Sequence, residues 1–289
     1  MSSAHQEYQR TYYDRTYPSR MDAVRDQLAH PLFCSFQDRL AARILDLVGP
    51  PPPAASDGTA DGAGAGTLRI FETACGEGFL GAALRRAARL RGLSLHYAGT
   101  DLSEGALGLA RQSVGGDLVV GDAVEVTASM APGSADVVIV KNLLHHLEDP
   151  AGLLREAGRV VGPSGHVVVV EARLGAPPVT ALAIMAPRRE KFFWVGARRN
   201  RRAVAAAGLT IEHAERFSFL PYELFFQIRY SAMRRVFSTS NPKTIERISH
   251  LDERLAARIP ALTSYWIWVA APVPAGDGEA DGSGRRSST

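Results

Sequence analysis

The chain has 289 residues, 46% hydrophobic and 22% charged, with a formal net charge of +3. That length holds one large domain or two small ones, and so mild a basic excess argues against a nucleic-acid-coating protein. Cys34 and Cys75 are the two cysteines, which excludes a disulfide-rich scaffold and implies a reducing, cytoplasmic setting.

The first residues, Met-Ser-Ser-Ala-His-Gln-Glu-Tyr, lack a signal-peptide core. No apolar run reaches the roughly eighteen residues that a membrane span needs. Residues 1–20 are polar but carry Tyr12, Tyr13 and Tyr17, either a surface segment held by its aromatics or a flap over a neighbouring site. From 22 to 48, Leu28, Phe33, Phe36, Leu40, Ile44 and Leu47 recur mostly at three- and four-residue steps, so the spacing predicts one or two helices. His30-Pro31 is the expected break between them. Residues 1–48 thus read as an N-terminal helical lid. The proline- and glycine-rich stretch 49–67 cannot bury a core and is expected to be a flexible linker.

A short apolar run, Leu68 to Phe71, then enters Glu72-Thr-Ala-Cys75-Gly76-Glu-Gly78-Phe-Leu-Gly81. This is a strand feeding a glycine-rich turn that opens a helix, expected over 79–91. Glycines allow torsions closed to other residues, and helix N-terminal amides favour polar or negative ligand groups. The spacing Gly76-x-Gly78-x-x-Gly81 also satisfies the dinucleotide fingerprint and by itself does not choose between cofactors.

A second strand, Leu95 to Asp101, ends in an acid twenty residues after Gly81, the place where ribose hydroxyls are accepted in doubly wound sheets. A helix is expected over 103–114. The third strand, Leu118 to Val120, runs into Gly121-Asp122-Ala123, and the fourth, Asp136 to Val140, into Lys141-Asn142-Leu-Leu-His145-His146. Asp149 and Pro150 mark the start of a helix over 150–161. The fifth strand, Gly165 to Val170, ends at Glu171. An insertion at 173–198, a helix over 199–207 and a sixth strand, Leu209 to Phe217, follow. A second insertion, 218–263, is too long for a structureless loop, so helices are expected near 222–237 and 242–258. A last strand, Ser264 to Ala270, closes the core, and 272–289 reads as a disordered tail. Polar or glycine residues cap the carboxyl ends of successive strands, where ligands of such sheets bind.

Taken together, these segments resemble the class I S-adenosylmethionine-dependent methyltransferases. The resemblance covers about 68–217 plus the final strand. It implies an α/β fold, a doubly wound seven-stranded sheet with its last strand antiparallel, carrying N-terminal helices and a helical cap before that strand. The core would span 68–271. It implies S-adenosylmethionine as cofactor, held by Glu72, Cys75, Gly76 and Gly78 at its methionine part. Asp101 would hold the ribose and Leu102 the adenine. Asp122 and Ala123 would read the adenine amino group, with main chain at Val140 and Lys141 near the cofactor's amino group. A nicotinamide- or flavin-dependent oxidoreductase is the rival. Glu72 and Glu77 count against it, since carboxylates around the loop would repel a pyrophosphate and attract an ammonium. A non-methylating relative that keeps the cofactor pocket is the other alternative.

Methyl transfer from a sulfonium needs placement and desolvation, and for an oxygen or carbon acceptor a base. His145 and His146 follow the fourth strand and suit that task near neutral pH. The alternative is a packing and helix-entry segment. Glu171 is a candidate to orient an acceptor, act as base or cap a turn. The basic cluster Arg188, Arg189, Lys191, Arg198, Arg199, Arg201 and Arg202 reads as a solvated helix start, with an anionic substrate group and then RNA as the alternatives. The segment 221–237 is rich in Phe, Tyr and Arg, which makes Phe225, Phe226 and Tyr230 candidates for contact with a hydrophobic small-molecule substrate. A subunit interface in a homo-oligomer and a peripheral membrane contact are the competing readings of that stretch. No metal and no nucleic-acid partner are expected.

Overall fold

The computed structural model describes residues 30–50, 66–173, 175–177, 179–180, 196–221 and 241–273. Its helices are α1 (Pro31–Val48), α2 (Phe79–Leu90), α3 (Glu104–Ser113), α4 (Ala123–Ser129), α5 (Pro150–Val161), α6 (Ala197–Ala206) and α7 (Pro242–Arg258). The strands are β1 (Thr67–Thr73), β2 (Ser94–Asp101), β3 (Asp117–Val120), β4 (Val137–Lys141), β5 (His166–Ala172), β6 (Leu209–Phe217) and β7 (Tyr265–Pro272).

Local chemistry sets the helix starts. The Asp149 carboxylate accepts from the Gly152 amide at 3.0 Å, with Pro150 in the first turn of α5. Asn241 and Pro242 do the same for α7, the Asn241 Oδ1 accepting from Lys243 N at 3.0 Å. Ser103 Oγ caps α3 at the Ala106 amide. Each satisfies a donor that the first helical turn leaves unpaired.

The seven strands form one sheet in the order β3-β2-β1-β4-β5-β7-β6. β1 to β5 run parallel to one another, and β7 runs antiparallel to both β5 and β6. The seven-stranded sheet with its last strand antiparallel matches the expectation. In β5, Val168 and Val170 face one core while Val167 and Val169 face the other, and all four are fully buried. Strands covered on both faces read as continuous apolar runs, as this one does.

One face is covered by α1 and α2, the other by α5 and α6. Helix α1 is therefore a layer of the core rather than a flap across the strand ends. Its Leu32, Phe36, Leu40 and Ile44 are at most 1% exposed, and the Phe36 ring lies 5.2 Å from that of Tyr265 and 5.8 Å from that of Phe217. α1 begins at Pro31, which stands in its first turn. The expected helices near 22–29 and 222–237, the linker 51–65 and the tail from 274 lie outside the described residues. Helix α4 was not anticipated from sequence. Among the described residues no helix is long and apolar enough to cross a membrane.

Candidate active site

The carboxyl end of β1 turns through three left-handed residues, Ala74 (φ 51°), Gly76 (φ 54°) and Gly78 (φ 76°). The three glycines of the turn have different reasons to be there. A Cβ on Gly78 would stand 2.6 Å from Val114 Cγ2, and one on Gly81 would stand 2.5 Å from the Tyr97 ring. At Gly76 a Cβ would meet nothing within 4 Å among the described residues. Glycine is needed there for its torsion, and the described residues leave the space before the loop open to a ligand.

Asp101 ends β2 against this loop. Its Oδ2 accepts from the Gly76 amide at 2.8 Å and its Oδ1 from the Ser103 amide at 2.9 Å. Burial pushes the carboxyl up to about 6; the amides oppose that shift and the Glu77 charge adds to it. Thr100 holds the third segment in place, its hydroxyl donating to Val119 O at 2.9 Å and Gly121 O at 3.2 Å. Asp122 then caps α4, its Oδ1 accepting from Val124 N at 2.8 Å and Glu125 N at 3.2 Å. One carboxylate oxygen of the expected adenine reader is thus committed to the helix start, and buried Ala123 follows it.

Glu72 and Cys75 lie beneath the loop. Glu72 is 2% exposed and accepts the Tyr97 hydroxyl at 2.7 Å. The Cys75 thiol is buried, and burial first, then the charges of Glu72 and Asp101, push its pKa well up. It is an inert packing group, so its place in the loop is a main-chain one, its amide donating to Thr100 O at 2.8 Å.

β4 supplies the opposite side. Thr73 pairs with Val140 in the sheet, so the segment after Lys141 adjoins the loop after Thr73. Asn142 adopts φ 49°, and a short 3-10 turn, Leu144–His146, follows. Glu171, at the end of β5, is fully buried. Its Oε1 accepts from the Leu143 and Leu144 amides at 3.0 and 2.7 Å, and its Oε2 meets His145 Nδ1 at 2.9 Å. The His145 and His146 rings lie 4.1 Å apart, His145 buried and His146 half-buried. Glu171 is therefore a group that shapes this turn and orients His145.

The structure brings together Glu72, Cys75, Gly76, Gly78, Asp101, Leu102, Asp122, Ala123, Val140 and Lys141 along one sheet edge, with His145, His146 and Glu171 beside them. Tyr12, Tyr13, Tyr17, Phe225, Phe226 and Tyr230 lie outside the described residues. Of the basic cluster, Arg198, Arg201 and Arg202 are exposed on α6, and Arg199 donates to Leu147 O at 3.0 Å. Sequence reasoning missed Tyr97, Thr100 and Ser103.

The donor set fits S-adenosylmethionine. A carboxylate at a strand tip can accept ribose hydroxyls, open space stands before Gly76, and acids rather than bases surround the loop, which disfavours a pyrophosphate.

Residues 71–169 match the family described as "Methyltransferase domain". The ubiquinone biosynthesis O-methyltransferase of Ralstonia nicotianae is 35% identical over 103 residues, 34% of this chain and 41% of that protein. The enzyme of the same name from Pseudomonas aeruginosa is 33% identical over 109 residues, 36% of this chain and 44% of that protein. The chain thus spans less than half the length of the curated relatives it matches. Among solved structures, geranyl diphosphate C-methyltransferase from Streptomyces coelicolor superposes with a TM-score of 0.51 at 15% identity, over 81% of this chain and 79% of that one. A putative sarcosine dimethylglycine methyltransferase from Galdieria sulphuraria gives 0.50 at 12% identity, over 81% and 84%. These likenesses show the fold. Family match and strand order together identify residues 71–169, the core of this chain, as a methyltransferase domain of the class I fold.

Proposed function

We propose that this chain methylates a hydrophobic small molecule at oxygen, with His145 as the base. The observation that carries the reading is the buried Glu171–His145 pair at 2.9 Å, on the turn that sheet register sets beside the loop after β1. Bound S-adenosylmethionine supplies an electrophilic methyl group to an acceptor aligned behind it.

The residues prepare that alignment. Asp101, held by two amides, holds the ribose, while the Gly76 turn leaves the loop open to the methionine part. Glu171 accepts from Nδ1–H of His145, which leaves Nε2 with the lone pair. That nitrogen takes the proton of an acceptor hydroxyl, and the resulting imidazolium is stabilised by the same carboxylate. Fixing the ring in one orientation also limits the reorganisation the step requires. Oxygen as acceptor is supported by the names of the curated relatives, whose similarity is confined to this core.

The insertions 173–198 and 218–263 form the acceptor cap in this reading. The density of Phe and Tyr in 221–237 supports an apolar or aromatic acceptor, contacted by Phe225, Phe226 and Tyr230, with Tyr12, Tyr13 and Tyr17 closing the site. The setting is cytoplasmic and involves no nucleic acid.

Isothermal titration of the purified protein with S-adenosylmethionine, S-adenosylhomocysteine and reduced nicotinamides tests the cofactor. Micromolar binding of the first two alone is expected; binding of a nicotinamide alone would overturn the reading. A panel of phenolic and isoprenoid acceptors, followed by mass spectrometry for methylated product, tests the reaction. In that assay His145→Ala lowers kcat by about a hundredfold or more while cofactor affinity holds. Cofactor binding without S-adenosylhomocysteine formation on any acceptor would favour a non-methylating relative.

A further inference from the structure

We infer that Tyr97 is a positioning residue for the amino-acid half of the cofactor, acting through Glu72; the inference rests on the S-adenosylmethionine reading above.

Tyr97 sits at the middle of β2 and is fully buried. Sheet register pairs it with Ile70 and pairs Glu72 with Gly99, which puts the tyrosine and the glutamate on the same face of the sheet. The ring fills the space beneath the first turn of α2, where only a glycine at 81 leaves room. Its hydroxyl donates to Glu72 Oε2 at 2.7 Å. Burial and the Glu72 charge hold the phenol well above its ordinary pKa, so it remains a donor throughout the working range.

A carboxylate at the penultimate residue of β1, 2% exposed, is costly to desolvate without partners. A charge-assisted hydrogen bond offsets part of that cost and fixes where the negative charge lies. Glu72 acts electrostatically on Cys75, inside the loop. A carboxylate fixed at the end of β1, where the loop carrying Gly76 begins, suits a ligand ammonium group. The adenosine half is handled elsewhere, by Asp101 and the Asp122-Ala123 segment. Tyr97 should therefore affect one half of the cofactor and not the other.

The test compares S-adenosylhomocysteine with 5′-methylthioadenosine, which keeps the adenosine and thioether but lacks the amino-acid chain. Kd values for both are measured by titration or competition on the wild type, Tyr97→Phe and Glu72→Gln. The expected result for Tyr97→Phe is about tenfold weaker S-adenosylhomocysteine binding, the scale of one charge-assisted hydrogen bond. Methylthioadenosine affinity should stay within about twofold on the same argument, which also shows the variant folded. Glu72→Gln should show the same selective loss. Equal weakening of both ligands, no weakening of either, or a Tyr97→Phe protein that no longer melts cooperatively would overturn the inference and leave Tyr97 as packing. Failure of the wild type to bind S-adenosylhomocysteine would instead overturn the cofactor reading, before any variant is made.

Discussion

At Asp101 burial and two main-chain amides pull in opposite directions, and burial prevails. The carboxyl ordinarily titrates near 3.8 and stands at about 6 here. The folded state therefore holds this proton more tightly than the unfolded chain does. Between those two values, stability at this group is gained as pH falls and lost as pH rises. Ribose hydroxyls need the ionised acceptor, so affinity runs the other way. S-adenosylhomocysteine should bind about tenfold more weakly at pH 5 than at pH 8, the change expected one unit below such a pKa. Titration calorimetry at the two pH values checks this. Asp101→Asn should flatten the difference, and Asp101→Ala should weaken binding at pH 8 at least about tenfold. Equal wild-type affinity at both pH values would remove Asp101 from the ribose site.

At the scale of elements, one buried residue of the second insertion makes several of the contacts that fasten it. Asp252 of α7 is 1% exposed. Its Oδ2 accepts from Arg39 of α1 and from the Ser218 hydroxyl, both at 2.9 Å; its Oδ1 accepts from the Phe219 and Leu220 amides at 2.9 and 2.8 Å. One carboxylate thus ties the exit of β6 to two helices, and Ser264, which leads into β7, bonds back to the same turn through Phe219 O at 2.6 Å. Removing Asp252 leaves Arg39 with Glu253 at 3.5 Å but deprives the Ser218 hydroxyl and two amides of their buried acceptor, which costs about 1–3 kcal/mol. Asp252→Ala should lower the urea midpoint by that equivalent with an unchanged m-value; a loss below about 1 kcal/mol, the level of an exposed pair, would contradict the anchoring role. Nothing in the sequence marks this aspartate, because an acid on a polar helix reads as solvated until α7 docks. The helix starts at Asp149-Pro150 and Asn241-Pro242 were legible, since cap and proline are adjacent signals. Helix α4 was not. Its seven residues include Val124, Val126 and Thr127, which favour helix weakly, and its start depends on Asp122, a residue already explained as a ligand contact.

Across the whole molecule, sequence revealed what is local and hid what is paired at a distance. The strand tips could be read in order because each motif is a contiguous stretch after an apolar run. Tyr97–Glu72 and His145–Glu171 are 25 and 26 residues apart, and only sheet register brings them together. The same register packs the described elements around shared cores. One core joins residues of α1, β1, α2, β2, β4, β5 and β7, and ion pairs Arg43–Glu215 at 2.6 Å and Arg86–Asp38 at 2.7 Å link α1 to β6 and to α2. A ligand bound at the loop after β1 should then stabilise everything described, α1 and α7 included. At a hundred times its Kd, S-adenosylhomocysteine adds about 2.7 kcal/mol. For a domain of this size that raises Tm by roughly 5–10 °C. Calorimetry should show one transition moving as a unit, with reduced nicotinamide leaving it in place. Two transitions, with the ligand shifting one, would mean that α1 and α7 fold apart from the cofactor core, and the packing of Phe36 against Phe217 and Tyr265 would be too weak to couple them.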